Sequence, residues 1–178
     1  SGASLYVSET EGHMTGNMPS VSGNAVAHDV DNGDTHTFSI ADTAMYAHKD
    51  NTGAWVKCTL AEDPKATHIG DFSIDSDGNY TFTLAHTAEA LAHGDKVVLT
   101  TTVTTTDGAG ATASAPVQVT VSGANTAPEI TSFTQSILLD EHPASGPYAA
   151  PVLAGQAIAS DVDGNAEIKS YYIQTTSG

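Results

Sequence analysis

The sequence predicts an all-β protein, an antiparallel sandwich, on three observations. Apolar residues alternate with Thr and Ser at a period of two along most of the chain. The breaks between these runs are Gly- and Asp-rich: DNGD at 31–34, SDGN at 76–79 and DGAG at 107–110. One stretch alone, AHTAEALAHG at 85–94, has the pattern of a helical turn.

Taken in order, the strands are expected at 4–8, 24–28, 35–40, 70–74, 79–85, 96–106 and 111–122. Phe38 and Ile40 set the inward face of the third. Tyr80, Phe82 and Leu84 do so for the fifth, Val97, Leu99, Thr101 and Val103 for the sixth, and Val117, Val119 and Val121 for the last. Seven strands in about 100 residues is the size of an immunoglobulin-like sandwich. The stretch 41–69 is long for a connection, and its AWVKCTL run reads as one extra strand.

A second copy follows. SGANTAPEI at 122–130 is a Pro-containing extended linker, and LAGQAIASDVDGNAEIKSYYI resembles VSGNAVAHDVDNGDTHTFSI from the first copy. Asp161-Val162-Asp163 answers Asp29-Val30-Asp31, Ile173 answers Ile40, and Glu141 answers Glu11. Self-similarity over more than about 100 residues marks a repeat array. The expected division is a complete repeat at 1–123, a linker at 124–128, and the first strands of an incomplete repeat at 129–178. Three strands cannot close a sandwich, so the natural polypeptide is expected to continue past Gly178.

Of the 178 residues, 21 are Asp or Glu and 5 are Lys, with no Arg, giving a formal charge of −16. That balance argues against nucleic acid and anionic membrane surfaces, which need clustered basic groups. With 39% hydrophobic residues the chain is not a disordered acidic tail. A single cysteine, Cys58, excludes an internal disulfide and a thiolate zinc site; its alternation with Val56 and Leu60 suggests a buried small hydrophobe. No apolar run reaches the roughly 20 residues that span a bilayer. Eight histidines show no HxH or HExxH spacing, and no GxSxG run offers a nucleophile, so no enzyme chemistry is expected. Trp55 and six tyrosines could make a sugar-stacking platform, although core packing is their commoner use.

The carboxylates carry the chemical expectation. Antiparallel strands put the turns holding Asp29, Asp31 and Asp34, Asp75 and Asp77, and Asp107 at one pole, the end where the chain enters the repeat. Apposed carboxylates raise one another's pKa values unless a cation answers them, and Ca2+ takes 6–8 oxygens at about 2.3–2.6 Å. For DSDGN at 75–79 alone an Asx turn is the better account; three acids in DVDNGD exceed what a turn needs. At the junction, Asp161 and Asp163, Asn125 with the linker carbonyls, Glu129, and Glu11 reaching over from the first repeat are expected to share a further ion.

Several spacings together resemble a VCBS-type repeat, an immunoglobulin- or cadherin-like extender module of large bacterial surface adhesins. They are Gly70…Phe72, Gly78…Tyr80…Phe82, Ala90-Leu91…Gly94, Thr106-Asp107-Gly108 and Val121…Gly123…Asn125…Ala127-Pro128. The resemblance implies export to the extracellular bacterial surface, neighbouring repeats of the same polypeptide as partners, no enzyme activity, and rigidity conferred by Ca2+. Thr126 stands where the family linker carries Asp, which weakens the implied junction site, and 41–69 departs from the family pattern. Three alternatives stay open: a carbohydrate- or protein-binding module using 41–69, a self-assembling extracellular fibre subunit, and an accessory module of a secreted hydrolase.

Overall fold

The computed structural model describes residues 2–11, 14–28, 35–133, 156–161, 163, 168 and 170–172. Among them, nine strands build two facing sheets. One sheet has the order β1 (Ala3–Ser8), β9 (Thr112–Ser122), β8 (Lys96–Thr106), β3 (Thr37–Ile40). The other runs β2 (Ser20–Asn24), β7 (Asn79–Leu84), β6 (Thr67–Ile74), β4 (Ala44–Lys49), β5 (Trp55–Cys58). Every ladder in the two sheets is antiparallel except β1 on β9, which is parallel. This is the all-β, immunoglobulin-like sandwich that the alternation predicts. Residues 123–128 belong to no strand, and β10 (Glu129–Phe133) then pairs with β11 (Ala157–Ser160) in a separate two-stranded ladder.

Parity decides the core. Phe82 and Leu84 of β7, Val97 and Leu99 of β8, and Val119 and Val121 of β9 all lie fully inside, with Ile69, Met45 and Leu91. Phe72 packs its ring on Phe82 with centroids 4.8 Å apart. Gly70 makes room for that ring, because a Cβ there would sit 2.5 Å from both Phe82 Cζ and the Thr83 carbonyl. Thr101 is buried in the same inward row, and its hydroxyl accepts from Asp42 N at 3.0 Å. The helical turn is a short 3-10 segment, His86–Ala90. No helix among the described residues is long and apolar enough to cross a membrane.

Two elements differ from expectation. The second strand occupies 20–24, not 24–28, because Ser20–Asn24 is the run that finds β7. The insertion 41–69 gives two strands, not one. Its hairpin β4–β5 extends the five-stranded sheet and bends its edge onto β8. Strand β3 covers β8 only from Val103 onward, and the hairpin supplies side chains below that point. Lys57 Nζ donates to the Thr100 carbonyl (2.7 Å) and to Asp42 (2.8 Å), and Trp55 Nε1 donates to Asp95 Oδ2 (2.8 Å). Lys57→Met should therefore cost about 1 kcal/mol, the net worth of a hydrogen bond, read as a shift in the urea midpoint.

The register defines the two poles. At the upstream pole β1 begins, Asn24 lies opposite Asn79, and Thr37 lies opposite Thr106. The turns after β6 and β8 therefore share that end. At the downstream pole Ser8 and Lys96 both lie opposite Ser122. There Gly123 N donates to the Asp95 carbonyl at 3.0 Å as the chain leaves the sandwich.

Candidate metal centre at the downstream pole

The period-two row of β1 continues past the strand. Leu5 and Val7 turn inward, and Glu9, next in the row, is turned inward too and is 6% exposed. Its Oε2 accepts from Ala124 N of the linker at 3.0 Å, while Oε1 is buried without a hydrogen-bond partner. Asp163 approaches the same linker from the other side. Its Oδ2 accepts from Thr126 N at 2.6 Å, and its Oδ1 is likewise buried and unpartnered. Thr126 itself is 2% exposed. The linker thus gives one N–H to a carboxylate from each side of the junction, and each carboxylate keeps one oxygen idle.

Burial pushes the Glu9 carboxyl up to about 7. The Ala124 N–H opposes that rise, and the charges of Asp163 and Glu89 add to it. Glu89 is buried as well; its Oε1 accepts from Met14 N and lies 3.6 Å from His86 Nδ1, which also meets the Met14 carbonyl at 3.0 Å. A buried acceptor left without a donor costs about 1–3 kcal/mol, more when it is charged. Two such oxygens at one junction are unfavourable unless a proton or a cation answers them. Two carboxylate oxygens are the kind of donor that a hard cation takes. Among the described residues, no group of three or more His, Cys, Asp or Glu side chains stands close enough together to hold a metal. The site therefore rests on two carboxylates and the linker backbone.

Of the residues singled out from sequence, Asp163 lies in this centre. Asp161 stands beside it, with Oδ1 accepting from Asp163 N at 3.0 Å. Asn125 and Glu129 are exposed, and so is Glu11, two residues beyond Glu9. Asp29, Asp31 and Asp34 lie outside the described residues. Glu9 itself was missed, although its place in the Leu5–Val7 row was the signal.

The remaining upstream acids serve their own turns. Asp75 Oδ1 accepts from Asp77 N and Asn79 N, each at 2.9 Å, and Oδ2 from Asn79 Nδ2 at 3.0 Å. The Asn79 side-chain hydrogen bond, first among these contacts, holds its carboxyl below the usual range. Asp107 Oδ1 accepts from Ala109 N at 2.9 Å and Ala111 N at 2.7 Å. Asp77 is exposed at the tip of its turn. His48 pairs with Asp63 at 2.9 Å and His68 with Asp71 at 3.0 Å. Cys58 is buried, and desolvation pushes its thiol pKa up, the opposite of activation. No family model matches the chain, and no curated protein matches it.

Proposed function

We propose that this chain is a non-enzymatic extender module of a secreted or cell-surface multidomain bacterial adhesin, of the VCBS-type repeat class, stiffened by Ca2+ at its junction. The reading is carried by one observation, the pair of buried, unpartnered carboxylate oxygens Glu9 Oε1 and Asp163 Oδ1. Glu9 and Asp163 would hold the ion, with carbonyls of the 123–126 linker and water completing the shell. Ca2+ would supply there the positive charge that those two buried oxygens lack. The residues themselves do the rest. Each carboxylate fixes one linker N–H, so that closing the site also fixes the path from β9 to β10.

Two further features support the reading. Strand β1 runs from one pole of the sandwich to the other and β9, parallel to it, ends at the second pole, as a module in a linear array requires. The 41–69 hairpin directs the Trp55 and Lys57 hydrogen bonds onto its own domain, which favours a structural role over a recognition surface. Sites in extracellular modules have dissociation constants of about 10⁻⁴–10⁻³ M. Ligand at 100 times that constant adds about 2.7 kcal/mol.

Small-angle scattering with Ca2+ and with chelator tests the proposal. The maximum dimension should sharpen with Ca2+ and the interdomain spread should widen in chelator; superimposable profiles would overturn it. Thr126→Asp restores the family acid beside Asp163. It should tighten Ca2+ binding about tenfold and lower stability in chelator, read by calorimetric titration and melting.

A further inference from the structure

The β4–β5 hairpin has a tip that its own residues hold in shape. Asp50 Oδ1 accepts from Thr52 N at 2.8 Å, Thr52 Oγ1 at 2.6 Å and Ala54 N at 3.0 Å, and Asp50 N donates to the Ala54 carbonyl at 2.8 Å. Lys49 and Trp55 lie opposite each other beside that tip, with Lys49 Nζ 5.6 Å from the indole centroid.

Both side chains reach one carboxylate. Trp55 Nε1 donates to Asp95 Oδ2 at 2.8 Å, and Lys49 Nζ stands 3.6 Å from the same oxygen. Ala92 N donates to it as well, at 3.1 Å, so Asp95 ties the hairpin to the turn 92–95 that leads into β8. Asp95 N closes this turn on the Ala92 carbonyl at 2.9 Å, and Gly94, at φ +88°, supplies the left-handed residue that the turn needs.

The departing chain rests on that turn. Gly123 N donates to the Asp95 carbonyl at 3.0 Å, and Gly123 lies so close to Leu91 and Ala92 that a Cβ would strike both carbonyls. The next amide, Ala124 N, is the one that Glu9 Oε2 accepts. Asp95 therefore faces two ways: its carboxylate takes the hairpin, and its carbonyl takes the residue that opens the linker. A carboxylate is aimed only as well as its hydrogen-bond partners are held, and groups standing behind a metal ligand change affinity by about 10–100-fold when removed.

We propose that the β4–β5 hairpin buttresses the junction, with Trp55 and Asp95 as positioning residues that set Gly123 and Ala124 and, through Ala124 N, the direction of the Glu9 carboxylate. The long insertion then acts at the downstream pole and not through its exposed surface. This inference deepens the Ca2+ reading and rests on it only for what Glu9 holds; the placement of Ala124 needs no ion.

Backbone amide hydrogen exchange of the full chain in chelator tests it, with Asp95→Ala and with Trp55→Phe, which keeps a ring but no N–H. In both variants Gly123 and Ala124 should exchange about tenfold faster, the factor that one net hydrogen bond is worth, while Leu99 and Val119 keep their rates. Asp95→Asn retains an acceptor oxygen and should restore slow exchange at both positions. Calorimetric titration should show Ca2+ affinity about tenfold weaker in Trp55→Phe and Asp95→Ala. Unchanged exchange at Ala124, acceleration spread evenly over β8 and β9, or undiminished Ca2+ affinity in both variants would overturn the proposal. An unaltered chain that takes up no Ca2+ refutes the Ca2+ reading alone, and the exchange comparison still decides this one.

Discussion

In chelator, the protein should lose stability as the pH rises from about 4.5 to about 7, and Ca2+ should restore it. The cause is Glu9, whose carboxyl titrates at about 7 in the folded chain against an ordinary 4.5. Between those values the folded state binds more protons than the unfolded one, so stability falls as pH rises. Above about 7 both states are ionised and the loss is complete. At about 1.4 kcal/mol per pH unit the interval bounds the loss at about 3.5 kcal/mol. The acids held low, Asp50, Glu62, Asp63 and Asp75, act at the other end of the scale. Their contribution is present above about pH 4 and is lost below it, so it does not mask Glu9. Glu9→Gln keeps an acceptor for Ala124 N while removing the charge. Its melting temperature should be flat over this range and indifferent to Ca2+. A Glu9→Gln variant with the full Ca2+ shift would remove Glu9 from the site.

Gly123→Ala should cost about 3 kcal/mol, at the upper end of what overpacking usually costs. The reason is space, since Gly123 does not adopt a positive φ. A Cβ there would come within 2.5 Å of the Leu91 carbonyl and closer still to that of Ala92. Both obstacles are backbone, which cannot swing aside as a side chain does. Gly110→Ala is the control: its φ is +91° but nothing lies near it, so backbone strain alone applies, about 1 kcal/mol. Urea midpoints for the two variants should therefore differ clearly. Because Gly123 precedes Ala124, the same change should also weaken the Ca2+ response.

The inward rows were legible because a half-buried strand imposes a period of two that composition cannot hide. Tyr80, Phe82 and Leu84 are buried as that rule requires. The β2 boundary was not legible, since residues 20–28 carry no single alternation strong enough to choose between two registers. The acids divide for a physical reason. A carboxylate that closes its own Asx turn, such as Asp75 or Asp107, has the same sequence signature as one that waits for an ion. Only the count of engaged oxygens separates them, and that count exists in three dimensions. Glu9 ends the Leu5–Val7 row, and that parity marks it as the inward carboxylate, whereas the correspondence with Glu141 points to the exposed Glu11.

The parallel β1–β9 ladder has a mechanical consequence. Its six residue pairs, Ala3 with Val117 through Ser8 with Ser122, join the first strand of the sandwich to its last. A force applied between the start of β1 and the end of β9 would draw the two strands past each other lengthwise, loading the whole ladder in shear. Unfolding under tension must break those bonds together and not unzip them one at a time.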